Sequence, residues 1–218
     1  MPRILFMHTE FSFPTLDLFL RSMLIGLSIA APVGQIGILA IQRTLDQGRA
    51  AGLATGMGAA FADAMYGAMG AFGVTALITW LLGLQLWLGL IGGSYLLWLA
   101  WQTARRPSVK GGSGHLPAGT LRRHVSGTFL LTLSNPTTIL AFMAVFGALA
   151  GGASIPSPWV MVLGVFLGSA LWWLILSTGV AWLRDRFDER WQKAVNLGSA
   201  VMLAAIGAWQ LARLFDRA

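Results

Sequence analysis

The sequence contains no cysteine and little charge. Without cysteine, disulfides, thiolate metal sites and thiol redox chemistry are excluded. Only 11% of the 218 residues are charged and 56% are hydrophobic, whereas roughly a quarter of the residues of a soluble domain are charged. The few charges form short clusters between long apolar runs. This pattern is typical of a membrane protein and predicts a single transmembrane domain over residues 1–218.

Six apolar segments are long enough to cross a bilayer as helices, since a crossing needs about 20 residues. They extend approximately over Leu16–Gln42, Ala51–Leu82, Leu84–Ala104, Ser126–Ala150, Trp159–Leu183 and Ala194–Leu214. None alternates in polarity for long, as the strands of a membrane β-barrel would. We therefore predict an all-α membrane protein with six transmembrane helices. The first segment is also longer than the apolar core of a signal peptide, so cleavage is not expected.

The basic residues are distributed unequally between the loops. Nucleic-acid binding would also suit the net charge of +7, but in membrane proteins an excess of Lys and Arg marks the cytoplasmic loops. This rule predicts three cytoplasmic loops and places both termini outside. The longest loop, residues 105–124, is a polar linker between two halves of three spans each, about 15–104 and 125–215. Eleven of the 15 basic residues lie in these three loops: Arg43, Arg49, Arg105, Arg106, Lys110, Arg122, Arg123, Arg184, Arg186, Arg190 and Lys193.

Three spans in each half imply that the halves face opposite ways, as in transporters built from inverted repeats with broken helices at a midplane site. Pro32 and Pro136 occupy matching places in the first and fourth spans, each with polar neighbours. Proline interrupts a helix, and a helix that restarts there presents free N–H groups and a positive dipole end. We therefore predict broken helices 1 and 4 whose new N-termini face a carboxylate. Kinks that only shape the packing are the alternative.

Asp63 is the only acidic residue near the middle of a predicted span, whereas Asp17 lies at the very start of the first one. Because a carboxyl group in the bilayer is costly, it is expected to face the bundle interior or a water-filled cavity. As an anion it could pair with a substrate ammonium, and as a desolvated carboxyl it could transfer a coupling proton. Tyr66 lies one turn further along the same face and could hydrogen-bond to it. A protonated Asp63 bonded to a neighbouring helix is the structural alternative.

Small residues recur at a spacing of four in the second span and again in the fifth. This spacing permits close helix contact within the chain, or a homodimer through the same faces, and we interpret it mainly as packing. Trp172 and Trp173 point in directions about 100° apart. At most one can therefore line a cavity, and lipid contact is expected for both. The small residues are Gly48, Gly52, Gly56, Ala60, Ala64 and Ala68, with Gly164 and Gly168 in the fifth span.

Three segments resemble the LysE/RhtB family of bacterial amino-acid exporters. They are GRAAGLATGMGAAFADAMYGAMGAFG from Gly48, GGSYLLWLAWQT from Gly92 and FLLTLSNPTTILAFMAVFGAL from Phe129. The resemblance implies proton-driven efflux of amino acids or related metabolites across the bacterial inner membrane. Asp63 and Asn135-Pro136 match the family's acidic and Asn-Pro positions. The family's proline-glycine-proline element is shortened here, since Val33 and Gly34 follow Pro32, and this changes the lining of the site.

Together these features predict a secondary active exporter of a small amino acid or related zwitterionic metabolite, working by alternating access. Its expected partners are the substrate, protons and the lipid bilayer, with no cofactor, metal, nucleic acid or catalytic residue. A divalent cation exporter is the alternative, although one carboxylate without Cys or His is a poor donor set. A membrane enzyme would need a second titratable group. The expected substrate-binding residues are Pro32, Gly34, Gln35, Asp63, Tyr66, Asn135, Pro136, Thr137 and Thr138, with Asp63 also the candidate for proton coupling.

Overall fold

The computed structural model describes residues 14–32, 34–72, 83–105, 117–149, 157–184 and 189–215. All regular structure in these ranges is α-helical, so the predicted all-α class is confirmed for this part of the chain. The helices are α1 (Pro14–Ala30), α2 (Gln35–Gln47), α3 (Arg49–Ala71), α4 (Gln85–Arg105), α5 (Ala118–Leu133), α6 (Pro136–Leu149), α7 (Pro158–Arg184) and α8 (Glu189–Phe215).

Both predicted helix breaks are present. The axes of α1 and α2 differ in direction by 79°, and those of α5 and α6 by 65°. α6 begins at Pro136 itself, a position that the fixed φ of proline favours. α2 begins only at Gln35, after a short turn in which the Gly34 N–H donates to the Pro32 carbonyl oxygen at 2.9 Å. The two prolines therefore end one helix and allow another to start in a new direction.

The number of spans is only partly supported. By length and composition, α7 over Pro158–Leu183 and α8 over Ala194–Ala212 can each cross a membrane. Each bent pair can add one more, which gives up to four spans among the described residues. α3 is not in this count; it is rich in glycine and alanine and contains Asp63. Six spans and two inverted repeats remain predictions, and residues 73–82 of the predicted second span lie outside the described ranges.

The polar linker predicted over residues 105–124 is shorter than expected. α5 begins at Ala118, so the end of this segment is helical. The polar start of α5 has one face that packs inward, because His124 and Thr128 are one turn apart and both are buried. Burial of this face explains why the helix begins before the apolar run.

Glycine determines how closely the helices pack around α3, which contacts α2, α5 and α7. A β-carbon at Gly56 would overlap the Trp173 side chain, and one at Gly58 would overlap the Val125 carbonyl oxygen. At Gly56, which belongs to the predicted small-residue series, and at Gly58, which does not, glycine therefore serves helix packing within the chain. A homodimer through the remaining small-residue faces stays a prediction.

Candidate functional site

A cavity of about 320 Å³ lies where the two helix breaks meet α3 and α7. Seven of the nine residues expected to bind substrate line it, although they come from three separate parts of the chain. They are Pro32, Gly34, Gln35, Asp63, Asn135, Thr137 and Thr138. Pro136 is the first residue of α6 and so adjoins the same break.

Asp63 is held by a pair of side chains from α7. It is only 3% exposed, and its Oδ2 accepts a hydrogen bond from Ser169 Oγ at 2.7 Å. Trp173 Nε1 in turn donates to Ser169 Oγ at 3.2 Å. Because a serine hydroxyl has a single hydrogen, the indole N–H occupies its acceptor side and leaves that hydrogen for Asp63. This chain of donors fixes the orientation of the Asp63 carboxyl group at the cavity.

The sequence did not reveal this pair. Lipid contact was expected for Trp173, and that expectation is wrong: the side chain is buried and lines the cavity. Ser169 was not singled out at all. The available signal was their spacing of four, which places them on one helical face, together with the small residue Gly56 opposite Trp173. The spacing alone does not tell which helix that face meets.

Tyr66 differs from the other expected site residues. Its hydroxyl donates to the Leu133 carbonyl oxygen at 2.8 Å, so its one hydrogen is not directed to Asp63, contrary to expectation. Its ring stacks on Phe142, with 5.4 Å between the ring centroids. Tyr66 therefore ties α3 to the end of α5 and to α6. In the described part of the chain, it is not among the residues that line the cavity.

The two helix N-termini at the cavity differ in their capping. At α6, Asn135 Oδ1 accepts a hydrogen bond from the Thr137 N–H at 3.1 Å. At α2 the capping position is Gly34, which has no side chain to accept such a bond. The next residue, Gln35, is only 5% exposed. Among the described residues, neither Nε2 nor Oε1 of its amide has a hydrogen-bond partner.

The other end of α2 contains a buried arginine. The sequence placed Arg43 in a cytoplasmic turn, but it lies within α2 and is only 6% exposed. Its Nη1 donates to Thr55 Oγ1 of α3 at 3.0 Å and to Thr128 Oγ1 of α5 at 3.3 Å. A buried guanidinium needs such partners. Arg43 therefore joins three helices.

Two further side-chain contacts fix the same end of α2. Gln42 Nε2 donates to Thr103 Oγ1 of α4 at 2.7 Å. Gln47 Oε1 lies 3.0 Å from His124 Nε2 of α5. With Arg43, these contacts connect the C-terminal part of α2 to α3, α4 and α5 by polar side chains.

Apolar helices around a small cavity that contains a buried carboxyl group, with two broken helices at its edge, are typical of membrane transporters. Comparison with known proteins agrees: the chain belongs to the LysE type translocator family, which matches residues 27–213. The family consists of translocators, so transport rather than catalysis is its activity.

Curated relatives include two proteins whose names refer to amino-acid efflux. The chain is 30% identical to the arginine exporter protein ArgO of Salmonella newport, over 71% of this chain and 74% of that protein. It is 24% identical to the putative amino acid efflux protein YcgF of Bacillus subtilis, over 88% and 94%. It is also 32% identical to the uncharacterized membrane protein YahN of Escherichia coli, over 81% and 79%. No solved structure matches the chain.

Proposed function

We propose that the protein is a secondary active exporter of an amino acid or related zwitterionic metabolite in the bacterial inner membrane, with both termini outside. The names of ArgO and YcgF, an arginine exporter and a putative amino acid efflux protein, support this class of substrate. The observation on which the proposal depends is the cavity in which both helix breaks and Asp63 meet.

Asp63 has a defined role in this mechanism. With Oδ2 engaged by Ser169, the other carboxylate oxygen is the one that a substrate ammonium contacts. When the substrate leaves, a proton takes its place, because a desolvated carboxylate without a cation is costly. Exchange of substrate for proton at one carboxyl group couples efflux to the proton gradient. The two breaks supply the hinges for alternating access.

The test is uptake and release of a panel of amino acids by proteoliposomes that contain wild type or Asp63→Asn, with and without an imposed pH gradient. The substitution removes the charge and the titration while keeping the shape of the side chain. A matched control is Asp17→Asn, because Asp17 is an exposed acid on α1 whose partner is Arg21. We expect gradient-dependent transport by wild type and by Asp17→Asn, and none by Asp63→Asn.

Each part of the proposal can fail separately. Full transport by folded Asp63→Asn would remove Asp63 from the mechanism. Transport that does not respond to the pH gradient would refute proton coupling. If folded wild type moves no amino acid at all, the proposed substrate class is wrong.

A further inference from the structure

The two helix N-termini at the cavity are unequally available to an anion. The N–H groups of a helix's first turn have no partner within the helix and favour an anion or a capping side chain. Asn135 already caps α6 through the Thr137 N–H. The extended backbone of Gly34 starts α2 without any capping side chain. The end of α2 is therefore the one open to a ligand.

A second observation at the same end also indicates a ligand. The amide of Gln35 is buried at the edge of the cavity without hydrogen-bond partners among the described residues. Buried polar groups are almost always paired, and an unpaired one is destabilising. A substrate carboxylate beside α2 would accept from Gln35 Nε2 as well as from the first-turn N–H groups. This need for a partner is independent of the helix terminus.

The residues that line the cavity provide one site for a positive charge. Among the described residues that line the cavity, Asp63 is the only charged one. It can neutralise one cationic group of a substrate. A second cation, such as a guanidinium, would remain desolvated without a counter-ion, which is strongly unfavourable.

From these observations we infer that the cavity selects a neutral α-amino acid, with its carboxylate at the N-terminus of α2 beside Gln35 and its ammonium at Asp63. The inference rests on the proposed function and narrows it. It separates this chain from its relative ArgO, whose name gives arginine as its substrate. It also assigns the two helix breaks different tasks, because α2 contacts the carboxylate whereas α6 is capped by its own asparagine.

The first test compares three compounds in proteoliposomes that contain the wild-type protein: threonine, threonine amide and arginine. The amide keeps the ammonium and the side chain but lacks the carboxylate, and arginine adds a second cation. We expect transport of threonine to exceed that of either other compound by about tenfold to a hundredfold, as the loss of a charge-assisted hydrogen bond predicts. If arginine or threonine amide is transported as fast as threonine, the inference is wrong, but the proposed function as an amino-acid transporter still stands. No movement of any amino acid would overturn both.

The second test places the carboxylate on the protein. A β-carbon at Gly34 meets open space, and its φ of −102° is available to any residue. The carboxylate introduced by Gly34→Asp would cap α2 and occupy the position proposed for the carboxylate of the substrate. The preference for threonine over threonine amide should therefore fall by about tenfold or more. In Gly34→Ala the added volume lacks charge, so both compounds should be affected alike.

The ratio of the two compounds is the decisive measurement, since a general folding defect lowers both rates together. Unchanged preference in folded Gly34→Asp would overturn the assignment of the carboxylate to α2. An equal loss of preference in Gly34→Ala would also overturn it, because bulk alone would then explain the effect.

Discussion

The contact between α1 and α7 predicts that Gly→Ala substitutions at two positions of α7 have different effects on stability. A β-carbon at Gly168 would overlap the Met23 carbonyl oxygen of α1, and backbone on the facing helix cannot turn aside. At Gly179 of the same helix, a β-carbon meets no atom within 4 Å. The two Gly→Ala substitutions add the same methyl group to the same helix, and only the surroundings differ.

The expected magnitudes follow from these surroundings. Overpacking of a close contact costs about 1–3 kcal/mol, so Gly168→Ala should lower the free energy of unfolding by that amount. In a chain of this size each kcal/mol lowers the Tm by roughly 2–4 °C, which gives a loss of about 2–12 °C. Gly179→Ala should be neutral or stabilising by up to about 1 kcal/mol, because alanine favours the helix over glycine.

Thermal unfolding of the purified protein in detergent, followed by circular dichroism at 222 nm, measures both variants under one condition. Effects of the detergent common to the two cancel in the comparison. Equal Tm values, or a higher Tm for Gly168→Ala than for Gly179→Ala, would refute the reasoning that glycine at 168 is required by the approach of the α1 backbone.

Three further substitutions test the polar contacts. Ser169→Ala should raise the KM of transport about tenfold or more, because Asp63 loses its hydrogen-bond donor. The control is Ser177→Ala on the same helix, since Ser177 Oγ has no partner among the described residues. Equal KM values in the two variants would contradict the role of Ser169. Tyr66→Phe should lower the free energy of unfolding by about 0.5–1.5 kcal/mol with the KM unchanged, and a large rise in KM would show that Tyr66 contacts substrate. Arg43→Gln should destabilise by about 1.5–3 kcal/mol in thermal unfolding, and a wild-type Tm would show that its bonds to Thr55 and Thr128 contribute nothing.

Features that depend on local chemistry could be predicted from the sequence. Proline interrupts a helix wherever the helix lies, so Pro32 and Pro136 located both breaks before any packing was known. A lone carboxyl group in an apolar run has few acceptable surroundings, which placed Asp63 correctly in the interior. The cap at α6 was not predicted, because Asn135 was expected to contact substrate, whereas its Oδ1 accepts a hydrogen bond from the Thr137 N–H.

Features that depend on which helices are neighbours could not be predicted. Tyr66 is three residues from Asp63 along α3, yet its hydroxyl donates to the Leu133 carbonyl oxygen on α5. Trp173 appears apolar in sequence, and only the contact between α3 and α7 brings it to Ser169 and the cavity. Arg43 was counted with the loop charges because nothing in its own segment reveals Thr55 and Thr128 as partners.

The contacts of α2 have a mechanical consequence. This 13-residue helix borders the cavity at Gln35 and is fixed by polar bonds at Gln42 and Arg43. A helix of that length measures about 20 Å and behaves as a rigid rod. Any tilt that a ligand imposes at its first turn must therefore strain or break the bonds at its far end, where α3, α4 and α5 meet. If a ligand displaces the first turn of α2, the displacement is therefore transmitted to the hydrogen bonds at this distant junction.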